Sequence, residues 1–343
     1  MQQRLLGPTG LAVSEFALGT MTFGAESDEQ QSRAQLDRYV EAGGTLIDTA
    51  DVYQRGESER IVGRWLSERR DREDLVVATK ARMPMGDGPN QRGLSKAWLH
   101  RAVDASLTRL QVAHIDLYQA HCWDPATPIE ETLEALDELV TAGKVRYVGV
   151  SNFTGWQLQR AVLVARYEGR PPIVSLQPQY NLLDRHIEWE LLPLCEDEGL
   201  GVLPWSPLGG GWLTGKYRRD EGPTGATRLG EDPQRGVEAW DARNTPRTWA
   251  LLEALRDVAQ AHGTSMSRVA LRWVTDRPAV ASTILGARTV DQLDDNLAAS
   301  ELILDADAVA ELDRHSDPGR PQYPYGFIED MSADRLALAR SSR

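Results

Sequence analysis

Eight short β-branched or aliphatic runs alternate with amphipathic stretches as far as about residue 313, and this alternation narrows the folds open to the chain more than any other feature. The runs are residues 16–20, 45–49, 75–80, 115–121, 147–152, 175–179, 201–206 and 282–286. Strands separated by helices pair in parallel, because each helix carries the chain back to the same end of the sheet. Eight such units are the number that closes a sheet into a cylinder. The expected fold class is α/β, a (β/α)8 TIM barrel, in one domain spanning 1–343.

Capping chemistry marks where the helices begin. Thr127-Pro128-Ile129-Glu130 sets a Thr cap before a proline at the first helical position, with a glutamate three residues on, so that two orphan backbone donors would be satisfied together. Ser27 with Gln30, Thr154 with Gln157 and Thr289 with Gln292 repeat the Ser/Thr-x-x-Gln pattern. After Thr127, the residues Leu133, Leu136, Leu139 and Val140 share one helical face, and Gly143 is placed to stop the helix.

Three segments depart from the repeating unit. Residues 2–14 read as two short strands around a Pro/Gly turn, a hairpin plugging the barrel floor. Residues 209–246, after the seventh strand, are rich in Gly, Arg and Asp, and a loop this long inside a compact domain is usually functional or mobile. The tail 314–343 sets Pro318, Pro321 and Pro324 among Tyr323, Tyr325 and Phe327, aromatics that suggest docking rather than disorder.

Composition closes off other classes. With 41% hydrophobic and 26% charged residues there is material for a large core, which excludes disordered and fibrous chains. No apolar run reaches the roughly 18 residues of a membrane span, and residues 1–7 lack the apolar core of a signal peptide, so the default location is cytoplasmic. A net charge of −13 argues against a nucleic-acid partner. Cys122 and Cys195 cannot make a framework of bridges and suit a reducing compartment as free thiols. Cys122 beside His121 invites a catalytic-thiol reading, although small cysteines are common in cores.

Four chemically apt side chains follow three successive strand-like runs: Asp48 and Tyr53 after 45–47, Lys80 after 75–79, and His121 after 115–120. The C-terminal ends of barrel strands open onto one mouth, so these residues are expected to converge. A free tyrosine, with a pKa of about 10, is a poor acid at neutral pH, and a neighbouring ammonium favours the phenolate. Lys80 would supply that charge and Asp48 would hold and balance Lys80. Tyr53 would then be a general acid for an alkoxide as it forms, with His121 orienting and polarising a carbonyl.

Asp48-Thr49-Ala50-Asp51-Val52-Tyr53, the Thr79-Lys80 strand end and Gln119-Ala120-His121 resemble the tetrad of the aldo-keto reductases. Further segments resemble the same family in the same order: 143–153 (Gly-Lys-Val-Arg-Tyr-Val-Gly-Val-Ser-Asn-Phe), 177–181 (Gln-Pro-Gln-Tyr-Asn), and 205–216, from Trp205-Ser206-Pro207 to Lys216. The resemblance implies NADP(H) bound across the mouth without a Rossmann domain, and no Gly-x-Gly-x-x-Gly follows the first strand. It implies that Ser151, Asn152 and Gln177 hold the nicotinamide carboxamide, that Trp205 stacks on the ring, and that Thr20, Met21 and Asp48 join the cofactor contacts. Ser206, Leu208, Gly210 and Lys216 match a loop folding over the pyrophosphate. Gly286, Arg288, Gln292 and Asn296 match the segment holding the adenosine end, with Arg288 on the 2′-phosphate. Leu285 departs from the family by standing where proline is usual. That bears on the loop's geometry and on the choice of NADP over NAD, which an arginine facing a phosphate favours.

Other readings compete. Asp48 with Asp51 mimics the carboxylate pair of a barrel glycosidase, but both come from one turn rather than from separate strand ends. His121 and Asp124 find no third ligand at suitable spacing, so no metal is expected. Phe23, Trp123 and Trp212, just past strand ends, are candidates to touch a substrate, otherwise core residues. The expected function is NADPH-dependent reduction of an aldehyde or ketone, including a sugar or natural-product carbonyl. Its rivals are a binding protein resembling potassium-channel β subunits and a redox sensor with little turnover.

Overall fold

Runs that are apolar on both faces suit a parallel sheet wrapped in helices, and these runs form one. The computed structural model describes residues 1–333 apart from Asp71, Ala226 and Arg235. A hairpin of β1 (Gln3–Leu5) and β2 (Ala12–Ser14) precedes eight parallel strands. These are β3 (Phe16–Gly19), β4 (Leu46–Asp48), β5 (Val76–Ala81), β6 (Ile115–Ala120), β7 (Val145–Ser151), β8 (Ile173–Gln177), β9 (Gly201–Val202) and β10 (Thr283–Leu285). They lie in the order β10-β3-β4-β5-β6-β7-β8-β9. A Val202–Val280 bridge and an Ile284 N–H donated to the Pro204 carbonyl at 2.9 Å join the two edges into the (β/α)8 barrel.

All eight expected runs hold a strand, but the seventh is cut from 201–206 to two residues. Pro178 and Pro204 have no N–H to donate, so the ladder there breaks into single bonds such as Trp205 N–H to the Pro178 carbonyl at 2.9 Å. The departure at Leu285 has a local account: it ends β10, buried, in register with Leu18.

Inside the barrel Leu46, Val76, Ala78, Leu117, Val174, Leu203 and Ile284 pack together, and the hairpin closes them off from below by adding Leu6 and Val13, both fully buried. Gly7 has φ +56°, and a Cβ there would collide with the Val174 carbonyl oxygen, so only glycine seats this turn on the floor.

The helices are α1 (Glu29–Glu41), α2 (Glu57–Ser67), α3 (Lys96–Leu110), α4 (Ile129–Thr141), α5 (Gly155–Tyr167), α6 (Leu191–Glu198), α7 (Arg228–Glu231), α8 (Trp240–Arg243), α9 (Pro246–Ala261), α10 (Met266–Thr275), α11 (Val290–Leu297) and α12 (Ala306–Ser316). Thr154 and Gln157 form a capping box on α5, and Thr289 caps α11. Two expected caps are displaced. Asp28, not Ser27, caps α1, because the Ser27 hydroxyl donates instead to the Arg288 carbonyl at 3.0 Å. The α4 cap position is Pro128, while the Thr127 hydroxyl donates to Asp124 at 2.8 Å.

Residues 209–246 are not a bare loop. They carry α7 and α8, and Trp212 stacks on Trp240 at 4.9 Å with Tyr217 and Trp249 against it. In the tail, Tyr325 donates to Glu190 at 2.6 Å and packs on Trp189, whereas Tyr323 and Phe327 stay exposed. Residues 334–343 of that tail lie outside the described residues. Among the described residues no helix is long and apolar enough to cross a membrane.

Candidate active site

Parallel register brings the ends of β4, β5 and β6 side by side: Asp48 stands beside Ala78, and Lys80 beside Gln119. Lys80 is fully buried, and its Nζ donates to Asp48 Oδ2 at 2.6 Å, to the Thr49 carbonyl at 2.9 Å and to the Tyr53 hydroxyl at 3.3 Å. The other Asp48 oxygen accepts from Gln177 at 2.8 Å and from Gln119 at 3.3 Å. Burying this ion pair is tolerable because both partners are hydrogen-bonded on every side the geometry allows.

Tyr53 reaches the group from a turn rather than a strand. The three residues after it, Gln54, Arg55 and Gly56, all have left-handed φ of +48°, +54° and +89°. Non-glycine residues there cost on the order of 1–2 kcal/mol each, strain offset by surrounding contacts and typical of segments that aim a functional group. His121 follows β6 directly, its ring edge-on to Tyr53 with centroids 6.1 Å apart. All four expected catalytic residues therefore meet.

Burial alone would lower the Lys80 pKa, but Asp48 and Tyr53 outweigh it and the net direction is upward, so Lys80 remains an ammonium. Burial, then the charges of Lys80 and Arg82, push His121 down to about 3, which leaves a neutral imidazole at pH 7. Its Nδ1 is buried and has no hydrogen-bond partner among the described residues. Burial pushes the Cys122 thiol up, against a thiolate nucleophile. Asp124 is spent on Leu94 N–H, Ala126 N–H and Thr127 rather than free to bind anything else.

Asp51 behaves unlike Asp48. Burial, then Glu59, pushes it up to about 8, and neither of its oxygens finds a hydrogen-bond partner among the described residues. At pH 7 it is protonated, and the two do not make a glycosidase pair, because Asp51 is buried away from the mouth and Asp48 is committed to Lys80, Gln119 and Gln177. Because its folded pKa lies above the unfolded one, its contribution is fully present below about pH 4 and is lost as pH rises through 8. His121 acts in the opposite sense, with stability falling as pH drops from about 6.5 towards 3, so above about pH 6.5 Asp51 is seen without it. Urea unfolding midpoints are expected to decline from pH 6.5 to 8.5. Asp51→Asn should flatten that decline, which is on the order of a few kcal/mol in total; an unchanged slope would remove the assignment.

The residues expected to meet a cofactor stand at or after the ends of β3, β4, β7, β8, β9 and β10. Ser151 and Gln177 end β7 and β8, and Ser151 donates to the Gln177 carbonyl at 2.7 Å. Asn152, exposed with φ +55°, donates to the His121 carbonyl at 2.9 Å and accepts from the Trp205 indole at 3.0 Å. Ser206 donates to Glu238 at 2.6 Å, Leu208 is half-buried, and Lys216 is exposed over the Tyr217 ring. After β10, which adjoins β9, Gly286 is exposed, Gln292 accepts from Arg288 N–H at 2.9 Å, and Asn296 is buried, donating to the Gly286 carbonyl at 3.3 Å. Arg288 forks onto Glu231. Thr20 is buried in hydrogen bonds to the Asp48 carbonyl and Ser58, and Met21 is half-buried.

A phosphate-bearing group fits this donor set. Gly209, Gly210 and Gly211 all have positive φ, which glycine adopts without strain, and Lys216 Nζ lies against the backbone where a Cβ on Gly211 would stand. Of the three residues expected to touch a substrate, Phe23 and Trp212 are fully buried in the core, Trp212 with its indole donating to the Glu238 carbonyl at 3.0 Å. Trp212 is packed against the rings of Tyr217, Trp240 and Trp249, and Phe23 belongs to the main hydrophobic core, which removes both from the mouth. Trp123 stays half-buried, in a group with Phe153 and the exposed Trp156. Reading the sequence missed Gln119, Glu231 and Glu238. Inward alternation along β6 could have found Gln119; nothing local distinguishes the two glutamates.

Known proteins support one assignment. The sequence model of the Aldo/keto reductase family matches residues 15–317. The chain is 39% identical to the uncharacterized oxidoreductase YrpG of Bacillus subtilis (strain 168), over 91% of this chain and 95% of that protein. It is 33% identical to a norsolorinic acid reductase of Aspergillus flavus, over 94% and 83%. It is also 36% identical to a probable voltage-gated potassium channel subunit beta of Oryza sativa subsp. japonica, over 88% and 92%. A match across nearly the whole chain, together with these relatives, establishes that the protein belongs to the aldo/keto reductase family, oxidoreductases that generally use NAD(P)H.

Proposed function

We propose that this protein reduces an aldehyde or ketone to an alcohol with NADP(H), Tyr53 giving the proton. The observation that carries the reading is the buried Lys80 ammonium, in contact with both Asp48 at 2.6 Å and the Tyr53 hydroxyl at 3.3 Å. When bound, the reduced nicotinamide supplies a hydride to the carbonyl carbon. Tyr53 donates its proton to the carbonyl oxygen as negative charge gathers there. Lys80 stabilises the phenolate left behind, and Asp48, steadied by Gln119 and Gln177, holds Lys80 in place. Neutral His121 offers a ring N–H to the same oxygen and so orients the carbonyl.

Ser151, Asn152, Gln177 and Trp205 would hold the nicotinamide end, with Thr20 and Met21 nearby. Ser206, Leu208, Gly210 and Lys216 would take the pyrophosphate. Gly286, Arg288, Gln292 and Asn296 would take the adenosine end, Arg288 meeting the 2′-phosphate. The substrate would enter beside Trp123, and aromatic lining suits a flat or sugar-like molecule by stacking. A cytoplasmic location goes with this reading.

The test is a titration with NADPH and with NADH, followed by quenching of the ten tryptophans, then a carbonyl panel with whichever binds. Binding with turnover supports a reductase; no binding of either dinucleotide removes the reading. Arg288→Ala should weaken NADPH about tenfold or more, the scale of a charge-assisted hydrogen bond, and NADH far less. Equal losses would detach Arg288 from the 2′-phosphate. A second reading, a binding protein with slow turnover, is favoured by the relative named as a potassium channel subunit. Tight dinucleotide binding with negligible reduction across the panel would support it.

A further inference from the structure

Arg288 stands on the rim of the mouth with its backbone pinned on two sides. Its N–H donates to Gln292 at 2.9 Å, and its carbonyl accepts from Ser27 at 3.0 Å. Its guanidinium makes a forked ion pair with Glu231, Nη1 to Oε1 at 2.8 Å and Nη2 to Oε2 at 3.0 Å, and Glu26 lies 3.7 Å away. Glu231 ends the short helix α7, within the segment that follows β9. Thr227 caps that helix by accepting from Gly230 N–H at 3.0 Å, and Glu231 N–H donates to the Thr227 carbonyl at 3.0 Å. Local structure thus holds the carboxylate over the arginine, although the two residues are 57 positions apart.

A phosphate binds a guanidinium through the same two-pronged edge that a carboxylate uses. One edge cannot fork both, so a 2′-phosphate must displace Glu231 or sit beside its like charge. A 2′-hydroxyl carries no charge, and carboxylates accept hydrogen bonds from ribose hydroxyls. We infer that Glu231 sets the dinucleotide preference of this protein: by occupying Arg288 it weakens NADPH selectively and leaves NADH untouched. The inference rests on the reading that Arg288 faces the 2′-phosphate. It makes the protein less selective for NADPH than an unopposed arginine would be, with Glu231 as the residue that tunes the ratio.

The experiment compares wild type with Glu231→Gln, which keeps the shape of the side chain and removes its charge. Dissociation constants for NADPH and NADH are read from tryptophan quenching at fixed ionic strength, without any turnover. NADPH should tighten about fivefold, the scale carried by a half-exposed ion pair, with NADH changed less than twofold. Raising the salt should narrow the difference in NADPH affinity between wild type and Glu231→Gln, because both the pair and the repulsion are screened. Weaker or unchanged NADPH binding would overturn the inference, since Glu231 would then be steadying Arg288 for the phosphate. Equal tightening of both dinucleotides would overturn it as well, by assigning Glu231 to the loop rather than to the phosphate. If wild type binds neither dinucleotide, the cofactor reading itself fails, and that failure is recognised before any variant is made.

Discussion

Tyr53→Phe should abolish carbonyl reduction, lowering kcat by about 10²–10⁴ or more, while both dinucleotides still bind within about twofold of wild type. The substitution deletes one oxygen and nothing else. That oxygen accepts from Lys80 at 3.3 Å, and Tyr53 is half-buried on a turn, so losing the Lys80 hydrogen bond, worth about 0.5–1.5 kcal/mol, should leave the fold intact. The phenyl ring keeps its edge-on place beside His121. His121, with a pKa near 3, cannot replace the lost acid at neutral pH. Turnover within tenfold of wild type, measured on whichever carbonyl the panel identifies, would show that the proton comes from elsewhere.

Lys80→Met should end turnover too, and it should also destabilise the protein strongly. Lys80 is fully buried and Asp48 nearly so, and their pair at 2.6 Å is the main compensation for both charges. Removing one partner of a buried pair typically costs about 3–5 kcal/mol, because the other charge is stranded. Gln119 and Gln177 still donate to Asp48, which places the expectation towards the lower end of that range. Adding Asp48→Asn to Lys80→Met removes the stranded charge and should recover much of the stability but none of the activity. Urea denaturation separates the two effects: if the single variant loses less than about 1 kcal/mol, the pair is not structurally important. If the double variant reduces carbonyls, Lys80 is not needed for the proton transfer.

The site was legible in outline because a barrel converts position along the chain into position in space. Asp48, Lys80 and His121 were readable as neighbours from their places at the ends of apolar runs, since parallel strands in register put those ends on one rim. The capping box at Thr154 was readable for a similar reason: both of its partners lie within one helical turn. The cap expected at Ser27 failed because the competing acceptor, the Arg288 carbonyl, comes from the far end of the chain.

What the sequence determined by itself is the alternation that closes eight strands over an apolar interior, the hairpin that seals its floor, and the set of residues delivered to its mouth. These follow from hydrophobic period and turn chemistry, which act over a few residues. Only the tertiary structure decided which charges survive there and which groups are already spoken for. Asp48 and Asp51 are three residues apart in one turn, yet one lies against an ammonium and the other is buried, its side chain without a hydrogen-bonding partner among the described residues, and held protonated. Trp212 reads like a mouth residue and ends fully buried among other rings, while Glu231 reads like any surface glutamate and ends on the arginine that a phosphate would need. Electrostatics and packing depend on distances between residues far apart in the chain, and those distances exist only once the barrel has closed.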